Sequence, residues 1–109
     1  MWGICFDSTI CGGKLFQSVI AYEISAENRI ADIIYPIEGV AVSVDEIKPL
    51  DAPPKFLTGE LVSPGNHPEL VGVIRGIGWH FNHQDYMYFI TINGRKKSKR
   101  YFANDLLKR

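Results

Sequence analysis

Residues 71–106 read VGVIRGIGWHFNHQDYMYFITINGRKKSKRYFANDL, and this stretch decides the fold class. Its clearest element is Tyr86–Ile92, aromatic and β-branched with no Gly or Pro inside, which is strand composition. The two-residue period puts Tyr86, Tyr88, Ile90 and Ile92 on one face and Met87, Phe89 and Thr91 on the other. Neither face is polar, so the strand is expected to be covered on both sides or to offer its second face to a ligand. Asn93-Gly94 follows at once, and Asn-Gly between two strand-like runs signals a type I′ hairpin, whose two central residues need positive φ. The return strand is then Arg95–Tyr101. In it Arg95, Lys97 and Lys99 project on one side, Lys96 and Arg100 on the other, which marks an edge strand. Upstream, Val71–Trp79 is a strand whose Gly72, Gly76 and Gly78 point to a bulge or a tight corner. Phe81–Asp85 is a polar connection of hairpin size. Asn104-Asp105-Leu106 reads as one helical turn that returns a leucine to the core.

The first half repeats the pattern more faintly. Met1–Phe6 is a short apolar strand, and Cys11-Gly12-Gly13 a turn. Leu15–Ile24 is strand-like and ends in a polar loop in which Asn28 suits left-handed φ. Arg29–Tyr35 is the next strand, stopped by Pro36. Val40, Val42 and Val44 alternate in a third, and Asp45-Glu46-Ile47 resembles a single helical turn. Leu50–Pro54 is the one linker-like segment. Phe56–Val62 opens the second half, and Ser63–Pro68 is an exposed loop.

The 109 residues are 46% hydrophobic and 22% charged, which fits one folded domain or two very small ones. No apolar run approaches the roughly 18 residues of a membrane helix, and the N-terminus lacks the basic start and apolar core of a signal peptide. A cytoplasmic protein with no membrane association is expected. Two cysteines, Cys5 and Cys11, make no disulfide framework and are expected to be reduced. The net charge of zero conceals an asymmetry. Residues 1–54 hold three Lys or Arg against eight Asp or Glu, a net −5, and residues 55–109 hold nine against four, a net +5. Such a split makes a bipolar surface, or two halves that attract each other, within one chain or between copies in a homo-oligomer.

The halves also match in pattern. Val19-Ile20 and Val73-Ile74 each open a strand, loop, strand, turn, strand series. The first series ends in Val44-Asp45-Glu46-Ile47 and the second in Ala103-Asn104-Asp105-Leu106. Short strands, short turns and no long amphipathic helix point to an all-β protein. Residues 56–106 resemble Src-homology-3-like small barrels of the Tudor and KOW kind. The resemblance rests on Phe56-x-x-Gly59-x-x-Val62, Gly72-Val73-Ile74-x-x-Ile77, the aromatic strand, the tight turn and the closing Asp105-Leu106. The chain is also similar to short cyanobacterial proteins of this pattern, a similarity that carries no function. The resemblance implies two tandem SH3-like small barrels with short 3-10 turns and little helix. The first is acidic (1–50), the second basic (56–109), and 51–55 link them. No four-sided aromatic cage assembles by position, which separates this chain from methyl-lysine readers.

Arg95-Lys96-Lys97-Ser98-Lys99-Arg100-Tyr101 is the sharpest functional feature. Lysines on an edge strand deter edge-to-edge pairing, which is one account of it. Phosphate contact through counterion release is another, with Trp79, Tyr86, Tyr88 and Phe89 available to stack bases. Docking of an acidic protein surface is a third. The barrel-end loop adds a possible groove lined by His67, Trp79, Tyr86 and Tyr88. His80 and His83, three residues apart across a turn, could share a metal ion, with His67 upstream and Asp85 the one close carboxylate, but a stable site needs three or four ligands brought together with a supporting second shell, and a loop with polar tips is the plainer reading. Cys5 and Cys11 lack redox spacing, no serine sits in a nucleophile elbow, and Gly12-Gly13 lacks the Lys and Ser/Thr of a phosphate loop.

The expectation is a non-catalytic binding or regulatory protein, an adaptor or inhibitor without metal or cofactor, that engages a protein partner through its second barrel. The alternative is a module for RNA or single-stranded nucleic acid. The candidate binding residues are His67, Trp79, His80, Tyr86, Tyr88, Arg95, Lys96, Lys97, Lys99, Arg100 and Tyr101.

Overall fold

The β-branched and aromatic runs of the sequence fold as strands, and the structure, a computed structural model, describes them over residues 1–6, 18–25, 27 and 29–109. The protein is all-β. In chain order the strands are β1 (Trp2–Cys5), β2 (Ser18–Ile24), β3 (Ile30–Tyr35), β4 (Val40–Ser43), β5 (Ile47–Leu50), β6 (Leu61–Pro64), β7 (Gly72–His80), β8 (Asp85–Ile92), β9 (Arg95–Lys96), β10 (Tyr101–Phe102) and β11 (Leu106–Lys108). Single 3-10 turns, Val44–Glu46 and Ala103–Asp105, precede β5 and β11. No helix among the described residues is long and apolar enough to cross a membrane. The expected turn at Cys11-Gly12-Gly13, the strand start at Leu15 and the left-handed Asn28 lie outside the described residues.

The chain divides into two compact units, Met1–Pro53 and Pro54–Arg109. The first is an antiparallel sheet of order β4-β3-β2-β1-β5. Its core gathers Cys5, Ile20, Tyr22, Ala31, Ile33, Val42 and Ile47, one face of each strand, with Val40 and Val44 packed beside them. Ser43 caps the 3-10 turn by accepting a hydrogen bond from the Asp45 N–H at 3.2 Å, and the turn delivers Ile47 into β5. Sequence reading missed β5 because Pro49 interrupts it. Among the described residues only β1 pairs with it, and a proline is tolerated at such an edge.

Gly3 lies where β1 is flanked by β2 and β5, opposite Ile20 and Pro49. A Cβ there would stand 2.7 Å from Ile47 Cγ2, 2.9 Å from the Lys48 carbonyl oxygen and 3.0 Å from the Tyr22 ring. Two of these three neighbours belong to the packed core, and the third is backbone, so the site has no room to give.

The second unit repeats the connectivity, with order β10-β8-β7-β6-β11 and β9 also paired to β8. In both units the last strand follows a 3-10 turn and returns to pair with the first. Phe56 is fully buried ahead of β6, and its ring meets Tyr88 edge to face at 5.3 Å. Of the segment Phe56–Val62 that opens this half, only Leu61 and Val62 belong to a strand. Residues 57–60 form a turn closed by Glu60 N–H on the Leu57 carbonyl at 3.1 Å, with Gly59 at φ 94, and pairing begins only at Leu61. Lys55, expected in the linker, is tied into this unit by its N–H, which donates to the Tyr88 hydroxyl at 2.9 Å.

Asn93 and Gly94 adopt φ of 51 and 76, which meets the requirement of the expected tight turn, and Ile92 pairs directly with Arg95. The glycine-rich β7 carries the expected bulge, since its register against β8 slips between Ile74 and Gly76 and leaves Arg75 as the extra residue.

Two predictions follow from the cores. Gly3→Ala forces a methyl group against Ile47 and the Lys48 carbonyl and should cost roughly 1–3 kcal/mol. Urea unfolding checks this, and an unchanged midpoint would mean that β5 shifts freely. The second concerns tyrosines. Burial raises the Tyr22 and Tyr88 phenols above 10.0, the latter against the pull of hydrogen bonds from the Lys55 and Phe56 backbone. Burial first, then the neighbouring Tyr88 and Asp85, pushes Tyr86 up to about 12. A raised phenol pKa favours the folded state fully below 10, and that contribution is lost as pH climbs from about 10 towards about 12. Tyrosinate absorbance should therefore lag for these rings and rise together with loss of the β-sheet circular dichroism signal. Full titration near pH 10 with the sheet intact would contradict it.

Candidate functional site

The β7–β8 hairpin ends where His80 pairs with Asp85, and residues 81–84 make the turn. Gln84 takes φ 51, and its side-chain amide donates to the Phe81 carbonyl at 2.7 Å. The His83 N–H donates to His80 Nδ1 at 3.2 Å, so a neutral His80 carries its proton on Nε2. This turn sets two imidazoles against each other, 4.4 Å between centroids at 69°. Phe102, on β10, completes the cluster at 5.6 Å from His80 and 5.1 Å from His83. Phe102 is itself held by its N–H, which donates to Asp105 Oδ2 at 3.0 Å across the second 3-10 turn.

The basic segment corrects the sequence reading. It is no continuous strand. Only Arg95 and Lys96 pair with β8, opposite Ile92 and Thr91, and pairing resumes at Tyr101 opposite Tyr88. Four residues, 97–100, thus span the distance that Ile90 and Phe89 occupy on β8. The two extra residues push the segment off the ladder, and the expected alternation of Lys97 and Lys99 against Arg100 is lost with it. Lys97 keeps one backbone hydrogen bond, its N–H to the Ile90 carbonyl at 3.0 Å. Charged side chains at an edge stay solvated in this arrangement, whereas a regular strand would have turned some of them towards the sheet interior.

Two cation contacts position the segment. Arg75, the bulged residue of β7, sits over the Phe89 ring at 5.3 Å and donates from Nη2 to the Lys97 carbonyl at 3.1 Å. Lys99 Nζ lies over the Tyr101 ring at 5.0 Å. Between the hairpin turn and this segment opens a groove of about 440 Å3, lined by His80, His83, Ser98, Lys99, Arg100 and Phe102.

Three of the eleven expected binding residues, His80, Lys99 and Arg100, line the groove. Arg95, Lys96 and Lys97 are exposed on the approach to it. Tyr86, Tyr88 and Tyr101 are core residues, at 7%, 1% and 8% exposure, and a ring with so little open face cannot be a stacking platform. Trp79 is half-buried edge-on to Tyr86 at 5.1 Å, and its indole Nε1 is enclosed without a hydrogen-bond partner. His67 is not among the groove residues, and its Nδ1 lies 3.3 Å from Glu69 Oε1. Its loop is pinned by Arg109, which donates to Ser63 Oγ at 2.9 Å and to the Pro68 carbonyl at 3.0 Å. The expected groove of His67, Trp79, Tyr86 and Tyr88 does not form.

His83, Ser98 and Phe102 are the groove residues that sequence reasoning left out. His83 was legible from the hairpin, because a turn closed by His80 and Asp85 brings it back over His80. Phe102 was not, because its position depends on the two extra residues. No three His, Cys, Asp or Glu side chains gather as metal ligands among the described residues. Cys5 is buried in the first core, and Cys11 lies outside the described residues.

Fold and site together define an all-β protein of two antiparallel sheets with a cationic, aromatic groove on the second. The chain belongs to a family of unknown function (DUF6960), whose profile matches residues 9–107. That match runs across both units. Searches of curated proteins and of solved structures found no match.

Arg75→Ala removes the clamp on the basic segment. Amide hydrogen exchange at Ser98, Lys99 and Arg100 should accelerate, with a stability loss of only about 0.5–1 kcal/mol, the size of an exposed cation–π contact. Unchanged exchange there would show that Arg75 does not hold the segment.

Proposed function

We propose that the protein is a non-catalytic binding module, built as two SH3-like small barrels, that takes an anionic macromolecular partner in the groove of its second unit. The observation that carries this is the composition of one groove, where two cationic side chains and a hydroxyl share a wall with three aromatic rings. The barrel reading is supported by the shared connectivity of the two units, a meander of strands, a 3-10 turn and a return strand beside the first.

A binding role also accords with the hydrogen bonding. A nucleophile needs its base within hydrogen-bond reach. His80 Nδ1 is instead occupied by the His83 backbone, and Ser98 makes no hydrogen bond to either imidazole. Asp85 accepts from the Tyr86 N–H at 2.8 Å and Asp105 from the Phe102 N–H, and neither carboxylate forms an ion pair with Lys99 or Arg100. The groove volume falls in the range of roughly 300–1,000 Å3 typical of ligand sites.

Retention on a heparin column tests the reading. The double variant Lys99→Gln, Arg100→Gln should elute at clearly lower salt than the parent. A control that removes two charges from the first unit, Arg29→Gln with Lys48→Gln, should elute near the parent. Equal shifts for both would mean that only net charge matters and that the groove is no site.

A further inference from the structure

Resting on that reading, we infer that the groove's ligand is single-stranded nucleic acid, with one base packed on the His83 and Phe102 rings and its phosphate held by Ser98, Lys99 and Arg100. An acidic peptide would satisfy the two cations equally well. It would leave the rings unexplained, because a carboxylate side chain has no flat apolar face to lay on them. A nucleotide brings a planar base and an anion on one repeating unit, which matches the aromatic and cationic side chains that line this groove.

The ring geometry favours an incoming base. The His80 and His83 rings meet edge to face at 69°, and both are tilted against Phe102, at 59° and 54°, so no two rings of the cluster lie parallel. His83 is exposed at the turn, with its ring accessible. Stacking of a base on such a ring tolerates any base, since each has a π-face. The anion side is built as well. The segment 97–100 leaves the ladder, Arg75 clamps its start at the Lys97 carbonyl, and Lys99 rests on Tyr101, so the lysine is positioned beside the rings. Arg95, Lys96 and Lys97 continue the positive track along the exposed edge for neighbouring phosphates.

A duplex is the poorer ligand. Its bases are stacked on one another, and a base must be splayed out before it can lay its face on a protein ring. Recognition of this kind is therefore tolerant of sequence and selective for unpaired strands.

Fluorescence anisotropy with the full chain tests the inference. The probes are labelled oligouridylate, oligodeoxythymidylate, a mixed-sequence duplex of equal length, and polyglutamate. Both single strands should bind more tightly than the duplex and than polyglutamate, and their ratio reports any contact to the 2′-hydroxyl. His83→Ala, in an exposed turn where the backbone hydrogen bond to His80 is kept, should weaken single-strand binding roughly 5- to 150-fold, the range found on removing one stacking ring. His83→Phe should restore it. Lys99→Gln with Arg100→Gln should flatten the log–log salt dependence by about 0.7 per lost contact. Thermal melts of each variant confirm folding.

If polyglutamate binds as tightly as the single strands and His83→Ala changes nothing, the nucleic-acid inference fails while the anionic groove stands. If the lysine and arginine substitutions also leave every probe unaffected, both fail.

Discussion

The second unit depends on one interaction, the long antiparallel pairing of β7 with β8. It joins residues from Gly72–Ile92 at one end to His80–Asp85 at the other, and every feature of the groove is referred to it. Its bulge lifts Arg75 out of the alternation and turns it towards Lys97. Its closing pair determines where the two histidines meet. Its far strand, β8, supplies the partners for both β9 and β10, and so decides how much of the basic segment can remain paired. Backbone hydrogen bonds formed in a row leave little freedom in register, because a slip of one residue would turn Tyr88, Ile90 and Ile92 away from the core.

The same architecture explains why the groove is where it is. In both units the chain returns through a 3-10 turn to pair its last strand with its first. In the first unit the preceding strand, β4, is short and regular and leads straight into the turn. In the second the corresponding strand is split into β9 and β10, with four residues between them that the ladder does not accommodate. A repeat with one such interruption offers a distinct surface on only one of its copies. The interruption carries charge, with three of the four residues 97–100 basic. That the family match spans residues 9–107 makes the pair of units the object of interest, and not the charged one alone.

The electrostatics of the groove are simpler than the charge count suggests. Nine basic and four acidic side chains follow residue 54, yet two of the acids, Asp85 and Asp105, spend a carboxylate oxygen on backbone N–H groups beside the groove. Hydrogen bonds of this kind fix the turn and the 3-10 segment, and the two carboxylates, still charged, form no ion pair with Lys99 or Arg100. The local balance is therefore set by geometry as much as by composition. Overall neutrality says nothing about it.

Much of the fold was legible in the residues alone. Strand composition, the Asn-Gly turn, the glycine-marked bulge and the two helical turns before Ile47 and Leu106 are local signals. Each rests on what a few neighbouring backbones can adopt. The sequence by itself thus determined an all-β chain, its meanders and its concentration of charge. Edge strands were less legible, and β5 with Pro49 was hidden because its existence depends on β1 being there to pair with it. The site was legible only in part. Which aromatic rings stay exposed was decided by packing, which drew Tyr86, Tyr88 and Tyr101 inward and left His83 and Phe102 at the groove. A basic run of constant appearance became a paired end and an unpaired loop because β8 offers two residues where the segment has four. Periodicity along one strand cannot register that mismatch, since it is a property of two strands counted against each other.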